Sequence, residues 1–147
     1  MDMSPSALHT FGEQVLRSQP FSVFIGAELA QLSPGTAVLA LQLAPLHHQQ
    51  YGQAHGGVIA YLVDNAMAFA AGSLTGTPVV TVEFKVQYLT PAVGTELFAT
   101  AEVESAGKRL LACRCRVESD DATGARTVVA LGLGTIAVVG NGEVVLP

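Results

Sequence analysis

The segment from His55 to Asp64 holds the residues of this sequence whose types and spacing are best suited to chemistry. Gly56 and Gly57 stand where an apolar three-and-four periodicity begins, which predicts that they open a helix. Glycines there let a ligand approach the backbone closely, and the first N–H groups of a helix are unpaired donors at the positive end of its dipole. Such a terminus can bind an anion, or stabilise an oxygen that becomes negative during a reaction.

Asp64 follows about two helical turns later among mostly apolar neighbours, so its carboxylate is expected to be at least partly buried. A carboxylate in that position is costly unless it is paired or used. A structural interpretation stays open, in which the glycines allow tight packing and Asp64 joins a hydrogen-bond network. His55 is then a structural hydrogen-bonding residue, while His47 and His48 are expected to be solvated in a polar loop, and no spacing supports a metal site.

The elements that must position these residues follow the order typical of an α+β protein. A short N-terminal helix is predicted from Pro5, capped by Ser4, to a point before Pro20. The helix that begins at Gly56 is predicted to end near Ser73, and strands are predicted over 21–32, 37–43, 79–89, 96–104, 108–118 and 126–139. Because helices and strands do not alternate, we expect a mostly antiparallel sheet wrapped around the long helix.

The strand predicted over 79–89 shows a regular alternation of apolar and polar residues. Since successive side chains of a strand point to opposite faces, the alternation predicts one apolar and one polar face. The apolar face would consist of Val80, Val82, Phe84, Val86 and Tyr88, and the polar face of Thr81, Glu83, Lys85 and Gln87.

The composition predicts one domain over residues 1–147 with a substantial core. Half of the residues are apolar and 13% are charged, which excludes intrinsic disorder. The formal net charge of −5 argues against a nucleic-acid-binding protein, because such proteins need a cationic surface. So few charges leave little polar surface, and we expect part of the apolar excess to lie in a subunit interface.

The sequence predicts neither export nor a membrane span. Its first residues carry no basic stretch followed by an apolar segment, and Asp64 and Asn65 interrupt the apolar run 58–74. Cys113 and Cys115 are two residues apart in a strand-like run, so we expect reduced thiols in the core. We therefore expect a cytoplasmic protein.

Four motifs follow one another along nearly the whole chain: His55-Gly56-Gly57, Leu62-Val63-Asp64, Thr81-Val82-Glu83-Phe84 and Tyr88-Leu89-Thr90-Pro91-Ala92. Together they resemble the hotdog-fold acyl-CoA thioesterases of the phenylacetate-pathway type. The resemblance implies a long central helix wrapped by a curved antiparallel sheet, a homodimer with a continuous sheet, and often a homotetramer of two such dimers. It also implies hydrolysis of an acyl-CoA to the free acid and CoA, with the CoA thioester as substrate and no cofactor.

The resemblance assigns catalytic roles by position. Gly56 matches the glycine whose backbone N–H polarises the thioester carbonyl, and Asp64, eight positions later, matches the nucleophile or general base. Gln49 stands six positions before His55, where this type usually has Asn and a related hydroxybenzoyl-CoA type uses Gln. Thr81 matches a Ser or Thr, early in the next strand, that orients the acid or its water.

The candidate substrate-binding residues surround these positions. His55 and Gly57 flank the oxyanion donor, and Tyr61 and Met67, with Phe69, are candidates for the acyl pocket on the helix. Aryl and medium-chain acyl groups are equally compatible with the sequence.

Lys108 and Arg109, at the start of a predicted strand, are candidates for binding the CoA phosphates. Further cations nearby in the sequence are Arg114, Arg116 and Arg126. The alternative is an ordinary solvated edge whose basic side chains discourage aggregation.

Helix geometry predicts that one chain holds only part of a site. Eight residues of helix span about 12 Å, so the N–H of Gly56 and the carboxylate of Asp64 in one chain are too far apart to act on one carbonyl. Two such helices, antiparallel across a two-fold axis, would bring Gly56 of one chain beside Asp64 of the other. The hypothesis predicts composite sites at a dimer interface.

Two other functions compete with hydrolysis. A non-catalytic hotdog module would bind acyl-CoA as a sensor, although sensors of that kind carry a basic DNA-binding arm that the sequence does not contain. A hotdog dehydratase or hydratase needs a catalytic His paired with an acid, and no His stands four or five residues after Asp64.

Overall fold

The computed structural model describes residues 3–140 as an antiparallel sheet of six strands around one long helix. The sheet order is β1-β2-β4-β5-β6-β3, so β1 and β3 form its two edges. This is the predicted α+β architecture. The elements are α1 (Pro5–Arg17), α2 (Pro20–Ile25), β1 (Glu28–Ser33), β2 (Thr36–Gln42), a 3-10 turn (Pro45–His47), α3 (Gly56–Thr75), β3 (Val79–Tyr88), β4 (Glu96–Ala106), β5 (Leu110–Asp120) and β6 (Arg126–Val138).

The helix α3 is the centre of the core. It is long and apolar enough to cross a membrane, but it packs in the curve of the sheet instead. Its close approach to β6 depends on two glycines of that strand. A Cβ added at Gly132 would collide with Val63, and a Cβ added at Gly134 would lie 2.7 Å from Met67 Cε. The buried residues of α3 are Ile59, Leu62, Val63, Ala66, Met67, Phe69, Ala70 and Ala71.

The strand predicted over 21–32 is wrong for its first half. Residues Pro20–Ile25 form the short helix α2, and β1 begins only at Glu28. Proline has the φ that the first turn of a helix requires, and Gly26 ends the helix in the left-handed region with φ +87°. These two residues decide the local structure, since a short apolar run by itself suits a helix or a strand.

The predicted alternation of β3 is also wrong at its beginning. A β-bulge at Val82 interrupts the pairing with β6 between Thr81 and Glu83. The extra residue lets Thr81 and Phe84 both face α3, while Val80 and Val82 are exposed. This shift matters for the site, because it turns the Thr81 hydroxyl towards the helix.

Cys113 and Cys115 are buried free thiols on the inner face of β5, as predicted. Burial raises the pKa of Cys113 to about 11 and that of Cys115 to about 12. Both side chains therefore act as small apolar core residues at neutral pH.

Candidate active site

The first turn of α3 leaves one backbone donor free. The His55 N–H donates to the His47 carbonyl at 2.8 Å, and the Gly57 N–H donates to His55 Nδ1 at 2.8 Å. The Val58 N–H donates to the His55 carbonyl at 2.9 Å. Among residues 3–140, no acceptor contacts the N–H of Gly56. His55 is thus the side-chain cap of the helix, and Gly56 supplies the available donor.

This free donor lies in an open cleft of about 570 Å³. The cleft is walled by the loop before α3, the start of α3 and the segment 88–92 that follows β3. Four of the predicted site residues line it, namely Gln49, His55, Gly56 and Gly57. Tyr88 also lines the cleft, although its sequence context predicted no functional role for it.

Gln49 is held within its own loop. Its Oε1 accepts a hydrogen bond from the Tyr51 N–H, and its Nε2 donates weakly to Gln53 Oε1 at 3.4 Å. A side-chain amide has two N–H donors, so the second Nε2 hydrogen of Gln49, a residue that lines the cleft, remains available. Gln49 can therefore donate a second hydrogen bond to an oxygen bound near the Gly56 N–H.

The expectation that His47 is solvated is wrong, because only 3% of the residue is exposed. Its Nδ1 accepts from the Ala44 N–H at 2.9 Å, and its Nε2 donates to the Ile25 carbonyl at 2.6 Å. Together with its bond to the His55 N–H, these contacts tie the loop before α3 to the end of α2. His48, its neighbour, is exposed as predicted.

Asp64 lies outside this cleft and is paired with Thr81. The Thr81 hydroxyl donates to Asp64 Oδ1 at 2.6 Å, which is the contact that the resemblance implies for an orienting residue. Both side chains are half-buried. Thr81 occupies one carboxylate oxygen, so the other remains available to a water or a substrate carbon.

Tyr61 and Asn65, on the same helix as Asp64, connect it to α2. The Tyr61 hydroxyl donates to Ser22 Oγ, and Ser22 Oγ donates to Gln19 Oε1 at 2.6 Å. Asn65 Nδ2 donates to the same Gln19 oxygen at 3.0 Å. Burial raises the pKa of the Tyr61 phenol, which keeps this hydroxyl protonated and donating. The network fixes α2 beside Asp64, where the exposed Phe21 packs edge-on against Tyr61 with ring centroids 5.3 Å apart.

Met67 and Phe69 are buried, whereas Tyr61 is only half-buried. Met67 is fully buried and Phe69 is 9% exposed, and both belong to the core under the sheet. Neither offers a surface to an acyl group in the described chain, and the binding role of Met67 stays a prediction. The physical reason for its burial is the close packing of α3 on β6, which directs Met67 towards Gly134.

Lys108 and Arg109 are exposed in the turn between β4 and β5. This turn lies at the end of the sheet where β3 begins, because Leu110 and Val80 both pair with Ala137. It therefore lies at the opposite end of β3 from Tyr88 and the Gly56 cleft. Of the further cations, Arg114 is engaged in ion pairs with Glu102 and Glu104.

The predicted catalytic residues, with His55 and Gly57 beside them, thus form two separate groups in one chain. Gln49, His55, Gly56 and Gly57 share the cleft, whereas Asp64 and Thr81 form a separate pair. Gly56 and Asp64 are on one helix eight residues apart, a distance of about 12 Å along its axis. In the described chain, the Gly56 N–H and the Asp64 carboxylate lie on the same helix, but they are too far apart to contact one substrate carbonyl.

A profile of the thioesterase superfamily matches residues 51–125, a range that contains both groups except Gln49. The chain belongs to the thioesterase superfamily. This membership confirms the resemblance seen in the motifs. The fold agrees as well: a thioesterase family protein from Silicibacter pomeroyi superposes with a TM-score of 0.82 at 31% identity, covering 86% of this chain and 95% of that one.

Curated proteins named as acyl-CoA thioesterases are similar to this chain over part or most of their length. Human acyl-coenzyme A thioesterase 13 is 33% identical over 84 residues, which cover 56% of this chain and 60% of that protein. The chain thus matches less than two thirds of this relative. The medium/long-chain acyl-CoA thioesterase YigI of Salmonella typhimurium is 27% identical over 132 residues, covering 78% of this chain and 85% of that protein.

Proposed function

We propose that the protein is an acyl-CoA thioesterase that hydrolyses a CoA thioester to the free acid and CoA. The observation that carries the proposal is the unpaired Gly56 N–H in the cleft, in a chain of the thioesterase superfamily. A thioester has a good leaving group, so the protein need not protonate a poor one. It must stabilise the negative carbonyl oxygen and deliver a nucleophile.

The Gly56 N–H is proposed as the main oxyanion donor. It stands at the positive end of a helix of 20 residues, where a developing negative charge is favoured. The free Nε2 hydrogen of Gln49 is proposed as a second donor to the same oxygen. Loss of one such donor typically raises the activation barrier by about 3–4 kcal/mol.

Asp64 is proposed as the nucleophile or general base. The Thr81 hydroxyl fixes one carboxylate oxygen at 2.6 Å and leaves the other to act on the carbonyl carbon or on a water. In the first route, attack by the carboxylate expels the CoA thiolate and gives a mixed anhydride, which water then hydrolyses. In the second, the carboxylate takes a proton from water as the water attacks.

Single turnover in ¹⁸O-labelled water separates the two routes. Label recovered in Asp64 itself supports the anhydride, because water that attacks the aspartyl carbonyl leaves its oxygen in the side chain. Label found in the released acid alone excludes attack of water on the aspartyl carbonyl and is the result expected when Asp64 activates water.

The complete site is proposed to form between two copies of the chain. The strand β3 is a sheet edge with exposed Val80 and Val82, and its backbone can pair with the β3 strand of a second copy. A two-fold axis there runs the α3 helices antiparallel, so Gly56 of one protomer faces Asp64 of its partner. This arrangement supplies both reacting groups to one carbonyl.

The acyl group is proposed to lie beside Tyr61, between the two protomers. The name of YigI, a medium/long-chain enzyme, favours a fatty acyl group, and the aromatic pair of Phe21 and Tyr61 suits an aryl group equally well. The CoA phosphates are proposed to contact Lys108 and Arg109, which lie at the end of β3 nearer to Thr81.

A homotetramer of two such dimers in the cytoplasm is the proposed working form. The outer face of the sheet carries exposed Leu131 and Leu133, which suit a second interface. Sedimentation of Leu133→Glu tests this proposal. A dimer mass with retained turnover is expected, and a mass equal to that of the wild-type protein would contradict it.

A thiol-release assay across short, medium, long and aromatic acyl-CoAs tests the function most directly. We expect release of CoA, with a clear preference within the panel. Tight acyl-CoA binding without any release of CoA would instead support the non-catalytic sensor, and would overturn the proposed hydrolysis.

A further inference from the structure

Tyr88 is a residue of the cleft to which the proposed reaction gives no role. It is the last residue of β3, and its hydroxyl donates a hydrogen bond to the Gly56 carbonyl at 2.7 Å. The Tyr88 side chain is 54% exposed, so this contact is not a by-product of core packing. The contact connects the edge strand to the residue whose N–H is the proposed oxyanion donor.

The ring of Tyr88 also lies against the Cα of Gly56. A Cβ at position 56 would lie 3.1 Å from the Tyr88 hydroxyl oxygen, 3.2 Å from Cζ and 3.4 Å from Cε1. The two shorter distances are tighter than ordinary van der Waals contact, so a side chain at position 56 would require the Tyr88 side chain to move by a few tenths of an ångström. Glycine at position 56 is therefore matched to tyrosine at position 88.

The sheet holds Tyr88 firmly in this position. Tyr88 pairs with Ala130 of β6, and the next two residues, Leu89 and Thr90, donate their N–H groups to the Val129 carbonyl at 2.8 and 3.4 Å. The Thr90 hydroxyl donates to the Val128 carbonyl at 3.2 Å. Through these bonds, β6 sets the position of the Tyr88 backbone, from which the side chain reaches Gly56.

The peptide that carries the Gly56 N–H is thus held from both sides. Before it, the His55 N–H is bonded to the His47 carbonyl, and after it, the Gly56 carbonyl is bonded to Tyr88. The peptide of the Gly56 N–H is also held by the Val58 N–H, which donates to the His55 carbonyl at 2.9 Å. The freedom that remains lies in the φ and ψ angles of Gly56, which a glycine restricts less than any other residue. An oxyanion donor is effective only when it already points at the oxygen that becomes charged.

We propose that Tyr88 is a positioning residue that fixes the direction of the Gly56 N–H. The inference rests on the proposed function, since it gives that N–H a task. Tyr88 acts through Gly56, by its hydroxyl on the carbonyl and by its ring on the Cα. It adds no group to the reaction itself.

The substitution Tyr88→Phe tests the proposal, because it removes the hydroxyl and keeps the ring. We expect kcat to fall about tenfold with KM nearly unchanged, since a misdirected donor weakens the transition state more than substrate binding. The control is Tyr51→Phe, which removes a hydroxyl from a tyrosine that is 77% exposed on the loop before α3. It should leave both constants at wild-type values. A Tyr88→Phe protein with wild-type kcat would overturn the proposal.

A second measurement is independent of activity. In ¹⁵N NMR spectra of the Tyr88→Phe dimer, the amide signals of Gly56 and Gly57 should shift and broaden, while signals of β5 stay in place. Unchanged signals at both glycines would overturn the proposal even if kcat fell. If the wild-type protein releases CoA from no thioester, the proposed function fails, and the NMR comparison still decides whether Tyr88 orders Gly56.

Discussion

Gly56 has two physical reasons to be glycine, and only the first can be read from the sequence. A glycine at a helix start permits close approach of a ligand, which the motif His55-Gly56-Gly57 already indicates. The second reason is the Tyr88 side chain, which would lie within 3.1 Å of a Cβ at this position. That contact joins residues 32 positions apart, and no local pattern can predict it.

At the residue scale, Asp64→Asn should lower turnover by at least about a hundredfold and leave the fold intact. An amide has nearly the shape of the carboxylate and still accepts the Thr81 hydroxyl, but it is neither a base nor a good nucleophile. Steady-state kinetics and thermal unfolding measure the two effects separately.

The matched control for Asp64→Asn is Glu83→Gln, the same acid-to-amide change on the outer face of β3, where Glu83 accepts from Thr135. It should keep wild-type turnover. Undiminished turnover in Asp64→Asn would remove Asp64 from the mechanism.

The two histidines of the loop before α3 give a second prediction at this scale. His47→Ala leaves the Ala44 N–H and the buried Ile25 carbonyl without partners, and should lower the free energy of unfolding by about 1–3 kcal/mol. His48→Ala, at an exposed neighbour, should change it by less than about 0.5 kcal/mol. Urea denaturation measures both, and equal losses would show that the His47 contacts do not stabilise the loop.

The composition of this loop did not distinguish His47 from His48. Both stand in a polar segment, and a solvated loop is the ordinary expectation for such a sequence. His47 is buried because α2 ends directly above it and presents the Ile25 carbonyl. The error about His47 therefore follows from the error about α2.

At the element scale, the long helix and the strands from β2 onward could be predicted because their periodicities are long and regular. The observed α3 ends two residues beyond the predicted Ser73, and β4, β5 and β6 lie within two residues of their predicted bounds. The short helix α2 was predicted as a strand, because a six-residue apolar run carries too little periodicity to distinguish the two. There, Pro20 at the first helical position and Gly26 at the C-cap were the better signal.

The bulge at Val82 explains why Thr81 could be placed by resemblance and not by alternation. Alternation assigned Thr81 to the face opposite Phe84, whereas the bulge turns both towards α3. A bulge is one inserted residue and leaves no mark in an apolar–polar pattern. It is nevertheless what allows the Thr81 hydroxyl to reach Asp64.

The packing of α3 on β6 gives a prediction at the element scale. Gly132→Ala would place a methyl group against Val63, a buried and stiff side chain, and should lower the free energy of unfolding by about 1–3 kcal/mol. Gly72→Ala adds the same methyl group within α3, where the nearest atom is Val79 Cγ2 at 3.8 Å. It should stabilise the protein by up to about 1 kcal/mol, because alanine favours a helix. Chemical denaturation would contradict the packing account if both changes had the same sign.

At the scale of the whole molecule, the proposed active site depends on a second copy of the chain. One chain presents the proposed oxyanion donor in one place and a bonded acid in another, and the outer edge of its strand β3 is unpaired within the described residues. The sparse charge of the sequence agrees with a protein that hides apolar surface between subunits. The fold could be predicted from one sequence, whereas the proposed site needs a second copy of the chain to be complete.

Gly56→Pro and Asp64→Asn are the variants that separate the two halves of the proposed site. Proline suits the first position of a helix and removes the N–H, and the extended backbone of His55 (φ −61°, ψ 137°) accepts a following proline. Gly56→Ala is the control for crowding against Tyr88, because it adds the Cβ and keeps the N–H.

The most direct measurement is the turnover of mixed dimers of Gly56→Pro and Asp64→Asn chains, purified through two different tags after co-expression. Each mixed dimer contains one site with an intact donor and an intact acid, so the account predicts about half of the wild-type turnover per dimer, whereas either variant alone is nearly inactive. Mixed dimers as inactive as their parents would contradict a site shared between two chains.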